Sequence, residues 1–519
     1  MNAPTAPMAS PIPTLFSPDG QLVSAITGEG KTQLESVTLP AFLPFQRWFG
    51  AKDSTITGVS LSPLGELEPG AHALVAADVA VGGETQRYLL PLSAVWSDLG
   101  RGSAGSAAPP VLANINSDSR SGVLIDGALD GGFAKALLQA LREQNIMSTA
   151  TGEVVFSASE TLQASGDVGE PRPLGAEQSN VSIAFGNTII LKLYRRLRSG
   201  EQPDVEVARF LTAVGQFANT PEFLGEIQHR PTSGEATTLA AVFAYVPNQG
   251  DAWAAVTNAL TESLLDGAAD DGNWIGAILG QRTAEMHKAF AVDTNEADFR
   301  VEQLAGSDIT GWAAEAVAEA HDLLDRLEQN LPSLPGAARA IAEEILSKRE
   351  LLIERIEAGS EMAPSGGRSR IHGDYHLGQV LVTGRDVMII DFEGEPKRSL
   401  PERRAKSSPL RDVAGMLRSF HYAAWTALSR YQAETGSLPD GVRTRVEDWR
   451  RGISADFVAA YETSVAGASS FPPDPALAKA LTEMFLLQKA IYEVGYELAN
   501  RPAWVEIPLS GIQDLLSEG

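Results

Sequence analysis

The chain has 519 residues, no cysteine and a formal charge of −25, which excludes a catalytic thiol and a disulfide framework and leaves no basic surface for a nucleic acid backbone. Its length exceeds what one ordinary core supports and predicts about three packed units. No apolar run is long enough to span a membrane, and the Ala- and Pro-rich start Met1–Pro13 lacks the regions of a signal peptide, so the chain is expected in the cytoplasm with neither membrane nor nucleic acid as partner.

In chain order, residues 1–35 are predicted to be a disordered tail. Residues 36–150 read as an N-terminal cap of α/β character. The alternating segments Ala73–Val81 and Gln86–Leu92 predict strands, the small polar stretch Gly100–Ser121 a flexible surface loop, and Phe133–Arg142 a helix. Trp48 fits core packing if buried and contact with another surface if exposed.

Residues 151–250 read as a small strand-rich lobe. Glu177–Phe185, a tight turn at Gly186-Asn187, and Thr188–Tyr194 form a predicted hairpin. Lys192 is the lone charge in its second strand, and a lysine so placed either snorkels from an edge or meets phosphate. Gln178, Ser179, Asn180 and Ser182 offer amides and hydroxyls to phosphate oxygens beside the backbone N–H groups, although the same composition makes ordinary turns. Glu206, in the helical segment Asp204–Leu211, is the expected ion-pair partner of Lys192. Leu239–Pro247 reads as an apolar strand ended by proline: as a hinge it would offer backbone groups from Ala244 to Val246 to adenine, and as a buried strand it would spend them in a sheet.

Residues 251–519 are predicted to form a helical lobe, with helices over Trp274–Phe290, Trp312–Glu328, Ala337–Ala358, Leu410–Arg430, Arg443–Tyr461 and Pro475–Ala499. The Gly-, Ser- and Pro-rich loop Ala358–Ser369 leads into Ile371-His372-Gly373-Asp374-Tyr375-His376-Leu377-Gly378-Gln379-Val380-Leu381, followed by Val387-Met388-Ile389-Ile390-Asp391-Phe392-Glu393-Gly394. Phosphoryl transfer needs a carboxylate to orient and deprotonate the acceptor hydroxyl, and hard oxygen ligands for Mg²⁺ between the phosphates. Asp374 fits the first need. Gln379 and Asp391 fit the second, because Val380–Val382 and Val387–Ile390 predict a short hairpin that brings the residues flanking it to one edge. Protein kinases carry Asn where this chain has Gln379, whose carbonyl oxygen serves the same purpose. His-Gly-Asp alone is a common turn; the joint order and spacing is what predicts a kinase using ATP and Mg²⁺.

Around this stretch, His372 reads as a brace of the catalytic loop and His376 either as a brace or as a titrating group, while Arg411 and Asp412 are placed to tie the loop to the lobe. His287 reads as structural. Tyr492, Tyr496 and Asn500 share one helix face and Trp504 follows, which is either a wall for a sugar or ordinary packing; His372 is a further candidate at the acceptor.

Beyond spacing, Asp391-Phe392-Glu393-Gly394-Glu395-Pro396, Glu402-Arg403-Arg404 and Ser408 to Phe420 resemble the maltokinase family, as do Lys489 to Glu497 with Asn500-Arg501-Pro502, Trp504 and Ile507-Pro508-Leu509. Upstream, Gln46 to Lys52 and Glu177-Gln178-Ser179-Asn180 are similar to that family's cap and phosphate loop. The resemblance implies an α+β, two-lobed protein-kinase-like fold of the aminoglycoside phosphotransferase type with an added cap, and phosphorylation of maltose at its anomeric hydroxyl to maltose 1-phosphate, feeding α-glucan synthesis from trehalose. It implies Asp374 as base, Gln379 and Asp391 as Mg²⁺ ligands, Lys192 on the phosphates, and Glu206 steadying Lys192. A trehalose-to-maltose isomerase is the partner it suggests. Two rivals stand beside this: an aminosugar or aminoglycoside kinase using Glu493 and Glu497 to meet ammonium groups, and a catalytically silent scaffold.

Overall fold

The computed structural model describes residues 12–52, 54–97, 110–174 and 180–517. The chain divides into two compact units, Met1–Glu206 with Glu222–Val246, and Val207–Pro221 with Pro247–Gly519.

The first unit begins with β1 (Thr14–Phe16) and the short helices α1 (Leu22–Ala25), α2 (Gly28–Gln33) and α3 (Leu39–Phe42). Strands β2 (Ile56–Glu68), β3 (His72–Val81), β4 (Glu84–Leu89), β5 (Leu92–Trp96), β6 (Val111–Asn116) and β7 (Ser121–Asp126) precede helix α4 (Gly131–Arg142). Next come β8 (Ile146–Thr149), β9 (Gly152–Ala158), α5 (Glu160–Ala164), β10 (Pro171–Pro173), β11 (Asn180–Phe185), β12 (Ile189–Tyr194), β13 (Arg196–Leu197), α6 (Pro203–Ala213), β14 (Phe223–Pro231) and β15 (Thr237–Ala244). One sheet runs β1-β6-β7-β5-β3-β4-β13 with β2 added on β3; the other runs β10-β11-β12-β15-β14-β9-β8. The β1–β6 pair is parallel, whereas the lobe's hairpins are antiparallel and place Ser182 opposite Lys192.

Three expectations need correcting. Within the predicted tail, residues 14–33 hold a strand and two helices, because Leu15, Leu22 and Ile26 are sunk in the cap core and outweigh the polar composition around them. The predicted loop Gly100–Ser121 contains β6, which pairs with β7 and buries Leu112, Ala113 and Ile115; residues 98–109 lie outside those described. The lobe sheet also begins at β8, before residue 151, since Ile146–Thr149 pairs with β9. Trp48 is buried, packed on Tyr88 and beneath the Arg195 guanidinium.

Chain order makes one junction notable. The chain leaves Lys192 in β12 and four residues later is in the cap sheet, where Arg196 pairs with Tyr88 of β4. Between them Arg195 is buried, its Nη2 2.6 Å from Asp126 Oδ2 and its Nη1 donating to the Leu89 carbonyl.

The second unit is helical: α7 (Ala252–Asp266), α8 (Ile275–Phe290), α9 (Gly306–Asn330), α10 (Gly336–Ser347), α11 (Arg349–Glu357), α12 (Leu400–Arg404), α13 (Leu410–Thr435), α14 (Asp440–Val465), α15 (Pro475–Asn500) and α16 (Glu506–Ser517). Two-residue strands β16 (Glu302–Gln303) and β17 (Gly367–Arg368) pair with each other, as do β18 (Val380–Thr383) and β19 (Asp386–Ile389). Small residues let helices approach closely: a Cβ at Gly280 of α8 would collide with the Phe457 carbonyl of α14. No helix among the described residues is long and apolar enough to cross a membrane.

Candidate active site

In the second unit the catalytic loop is built onto the N-terminal turn of α13. Asp412 is fully buried, and its Oδ2 accepts the N–H of His372 at 2.8 Å while its Oδ1 accepts that of Gly373 at 2.9 Å. His287 of α8 adds a third bond, Nε2 to Asp412 Oδ2 at 3.1 Å, and its Nδ1 lies 3.0 Å from the Tyr461 hydroxyl. Burial opposes ionisation of Asp412, but these donors outweigh it and hold the carboxyl below its ordinary range. The tie expected of Asp412 is present; Arg411 instead bonds Ser407 and Gln488.

His372 is a brace. It is buried, Nε2 donates to the Ile390 carbonyl at 3.0 Å, and Nδ1 accepts the Asp374 N–H at 3.4 Å, so one tautomer satisfies both bonds. Spent in this way it does not face an acceptor. His376 caps the following turn by accepting the Gly378 N–H, and burial pushes its pKa below the ordinary value, which leaves a neutral ring two residues from Asp374.

The predicted hairpin is β18 and β19, with Val380 opposite Ile389. Its position is fixed from outside: Arg282 makes a two-pronged pair with Asp386, both bonds 2.8 Å, and Asn219 bonds the Val387 carbonyl. Ile390 N–H then donates to the Gln379 carbonyl, and Gln379 Nε2 lies 3.1 Å from Asp391 Oδ2. Asp391 has φ +66°, a left-handed conformation uncommon for a residue with a Cβ. The hairpin thus brings Gln379 and Asp391 together with the Gln379 NH₂ facing the carboxylate; turning the carboxamide over would set its oxygen beside Asp391 as a second hard ligand suited to Mg²⁺.

Beside Asp374 is a pocket whose lining includes Glu319, Glu395, Arg398, Gln488, Lys489 and Tyr492. Lys489 Nζ lies 2.6 Å from Glu395 Oε1 and 3.7 Å from Asp374 Oδ1, and Arg398 Nε holds the other Glu395 oxygen at 3.1 Å. Burial raises Glu395, but Lys489 and Arg398 more than offset it, so the carboxyl is lowered. Glu319 is the opposite case: burial raises it, and its Oε2 is buried without a hydrogen-bond partner. Sequence reasoning passed over Glu319, Glu395 and Arg398. The signal for Lys489 was there, since it shares a helix face with Tyr492 and Tyr496 at i, i+3 and i+7.

The proposed sugar wall is partly covered. Lys397 sits 5.3 Å from the Tyr492 ring and 5.0 Å from the Tyr496 ring, and Arg501 lies over Tyr496 and Trp504. Asn500 is exposed and donates to the Tyr496 carbonyl. Tyr492 alone of this set lines the pocket with Asp374. Glu493 and Glu497 are not available to an amine: Glu493 takes two bonds from Arg418, and Glu497 two from Arg501.

In the first unit Lys192 is buried at 9 % exposure, with Nζ 2.9 Å from Asp204 Oδ2, which also accepts the Tyr194 hydroxyl. Asp204 was not foreseen as a partner; Glu206, two residues on, is buried in the same turn of α6. Asn180 and Ser182 lie in β11, opposite Tyr194 and Lys192. Gln178 and Ser179 lie outside the described residues. The hinge expectation changes in part: the Ala244 N–H donates to Glu222 and the Tyr245 N–H to Thr188, so neither amide is free for adenine.

A family model described as the phosphotransferase enzyme family matches residues 169–449, more than half of the chain. The chain belongs to this family. A second model, the maltokinase N-terminal cap domain, matches residues 42–130, so the phosphotransferase is of the capped, maltokinase type and has the kinase-like α+β fold. Curated relatives of this phosphotransferase include a glucosamine kinase of Streptacidiphilus jiangxiensis, 26% identical over 390 residues, covering 75% of this chain and 82% of the relative. Another glucosamine kinase, from Mycolicibacterium smegmatis, is 26% identical over 402 residues, covering 75% and 89%. Among solved structures, a glucosamine kinase in complex with glucosamine, ADP and inorganic phosphate aligns with TM-score 0.61 at 22% identity, covering 88% of this chain and 94% of that one.

Proposed function

We propose that this kinase transfers the γ-phosphoryl group of ATP to a hydroxyl of a small sugar in the cytoplasm. The observation that carries the reading is that His372 links the Asp374 N–H to the Ile390 carbonyl, one residue before Asp391, while Gln379 bonds Asp391. Asp374 orients the acceptor hydroxyl and takes its proton as the new oxygen–phosphorus bond forms, and ADP leaves with the electrons of the broken bond. Gln379 and Asp391 are the residues to hold Mg²⁺, which when bound neutralises charge on the phosphates. Lys192, steadied by Asp204 and Glu206, is assigned to the phosphates, with Gln178, Ser179, Asn180 and Ser182 as the phosphate loop and the backbone at Val246 toward adenine.

For the acceptor, the cap match supports maltose, phosphorylated at the anomeric hydroxyl to maltose 1-phosphate for α-glucan synthesis from trehalose, with a trehalose-to-maltose isomerase as functional partner. The kinship with two glucosamine kinases supports a second reading, an aminosugar, for which the unpaired Glu319 oxygen rather than Glu493 or Glu497 is the carboxylate in place. ADP release from the purified chain with Mg·ATP and maltose, glucose, glucosamine or kanamycin decides. Turnover with maltose alone supports the first reading and with glucosamine alone the second; no turnover with any of them rejects the kinase.

A further inference from the structure

The catalytic loop supplies no cation of its own beside Asp374. His376, two residues on, is spent within the loop, its Nδ1 accepting the Gly378 N–H. The cation comes instead from the C-terminal helix α15, where Lys489 Nζ stands 3.7 Å from Asp374 Oδ1.

Lys489 is held on several sides. Glu395 takes one of its N–H bonds at 2.6 Å, and the Tyr492 ring lies 5.2 Å from the ammonium. Glu395 is itself anchored by Arg398. The lysine side chain keeps 27% exposure and Asp374 23%, so the pair remains open to an incoming acceptor. Burial works to discharge Lys489, but the carboxylates of Glu395 and Asp374 prevail and raise it above the ordinary lysine value, which makes it a permanent cation.

We propose that Lys489 is a positioning residue for phosphoryl transfer: its ammonium draws one oxygen of Asp374 toward α15 and leaves the other to the acceptor hydroxyl. An aspartate has a free χ2 rotation about its carboxyl, and a base that points wrongly loses the near-attack geometry. Glu395 has the complementary task of keeping the ammonium at the reach of Asp374 instead of in full contact, where it would compete with the acceptor's own hydrogen bond. The proposal rests on the kinase reading above and adds a residue that acts on its base.

The test compares steady-state kinetics of the full-length wild type, Lys489→Met and Lys489→Arg, using whichever sugar of the panel the wild type turns over. Lys489→Met is expected to lower kcat about 10- to 100-fold, with KM for Mg·ATP changed less than about twofold, and Lys489→Arg to recover most of the loss. In an Asp374→Asn background the same Lys489→Met change is expected to cost nothing more, because its target is gone. Should Lys489→Met leave Glu395 uncompensated and fail to fold, Glu395→Gln/Lys489→Met removes both charges and is read in the same way. Unchanged kcat, a loss confined to KM for ATP, or an equal loss in the Asp374→Asn background overturns the role of Lys489 while leaving the kinase standing. A wild type that turns over no sugar removes the kinase reading and this role with it.

Discussion

Asp412→Asn is the most informative single change, because it keeps the side chain's volume and alters only charge and donor pattern. Asp412 accepts three bonds, two on Oδ2 from His372 N–H and His287 and one on Oδ1 from Gly373 N–H. An asparagine has one acceptor oxygen and an NH₂ group. With its oxygen in the Oδ2 position it keeps two donors, and its NH₂ then faces the Gly373 N–H, so one buried amide is orphaned and two charged bonds become neutral. A hydrogen bond to a charged group contributes about 1.5–3 kcal/mol and an orphaned buried donor costs about 1–3 kcal/mol, so a net loss of roughly 2–4 kcal/mol is expected. For a unit of this size that is a fall in Tm of about 4–12 °C. Because the orphan lies one residue from Asp374, kcat should fall with it. Calorimetry together with an ADP-release assay reads both; a variant that melts and turns over like the wild type would refute the claim that Asp412 holds the loop.

Asp374→Asn should lower kcat about 10²- to 10⁴-fold, leaving a measurable residual rate, and leave nucleotide affinity nearly intact, as isothermal titration with Mg·ATP would show. The stabilisation from Asp412 carries a pH signature: its folded value lies below the ordinary 3.8, so its contribution is full above that pH and fades as pH falls through the folded value. The Tm gap between wild type and Asp412→Asn should therefore be widest near neutrality and shrink in acid; a constant gap would contradict this. Glu493→Ala leaves the buried Arg418 guanidinium without its carboxylate and should cost about 3–5 kcal/mol in denaturant titration. Gly511→Ala pushes a methyl against the Arg418 guanidinium, which Glu493 and His421 hold in place, and should cost about 1–3 kcal/mol by the same measurement.

The hairpin of the candidate site was legible because its pattern is local: Asp374, Gln379 and Asp391 lie within one loop and one hairpin, and period-2 alternation locates the strands. The helices were legible for the same reason, their apolar spacing repeating over several turns. What escaped depends on distant pairings. Lys489 and Glu395 meet only once α15 is laid against the loop after Asp391, and nothing in either segment names the other. The tail was misjudged because Leu15, Leu22 and Ile26 are too sparse to show a period, yet each fills a place in the cap core. In the lobe, Asp204 and Glu206 sit in one helical turn, and spacing alone does not choose which carboxylate reaches Lys192.

The passage from β12 into β13 means that the cap is grafted into the lobe rather than appended to it. Were the first 150 residues trimmed away, Arg195 would lose Asp126 and Trp48 together, and an interior guanidinium would be stranded three positions from Lys192. Minimal versions of this enzyme cannot be made by cutting at the apparent boundary. A lobe without the cap would need another residue at position 195 and no β13, directly after the strand that carries Lys192.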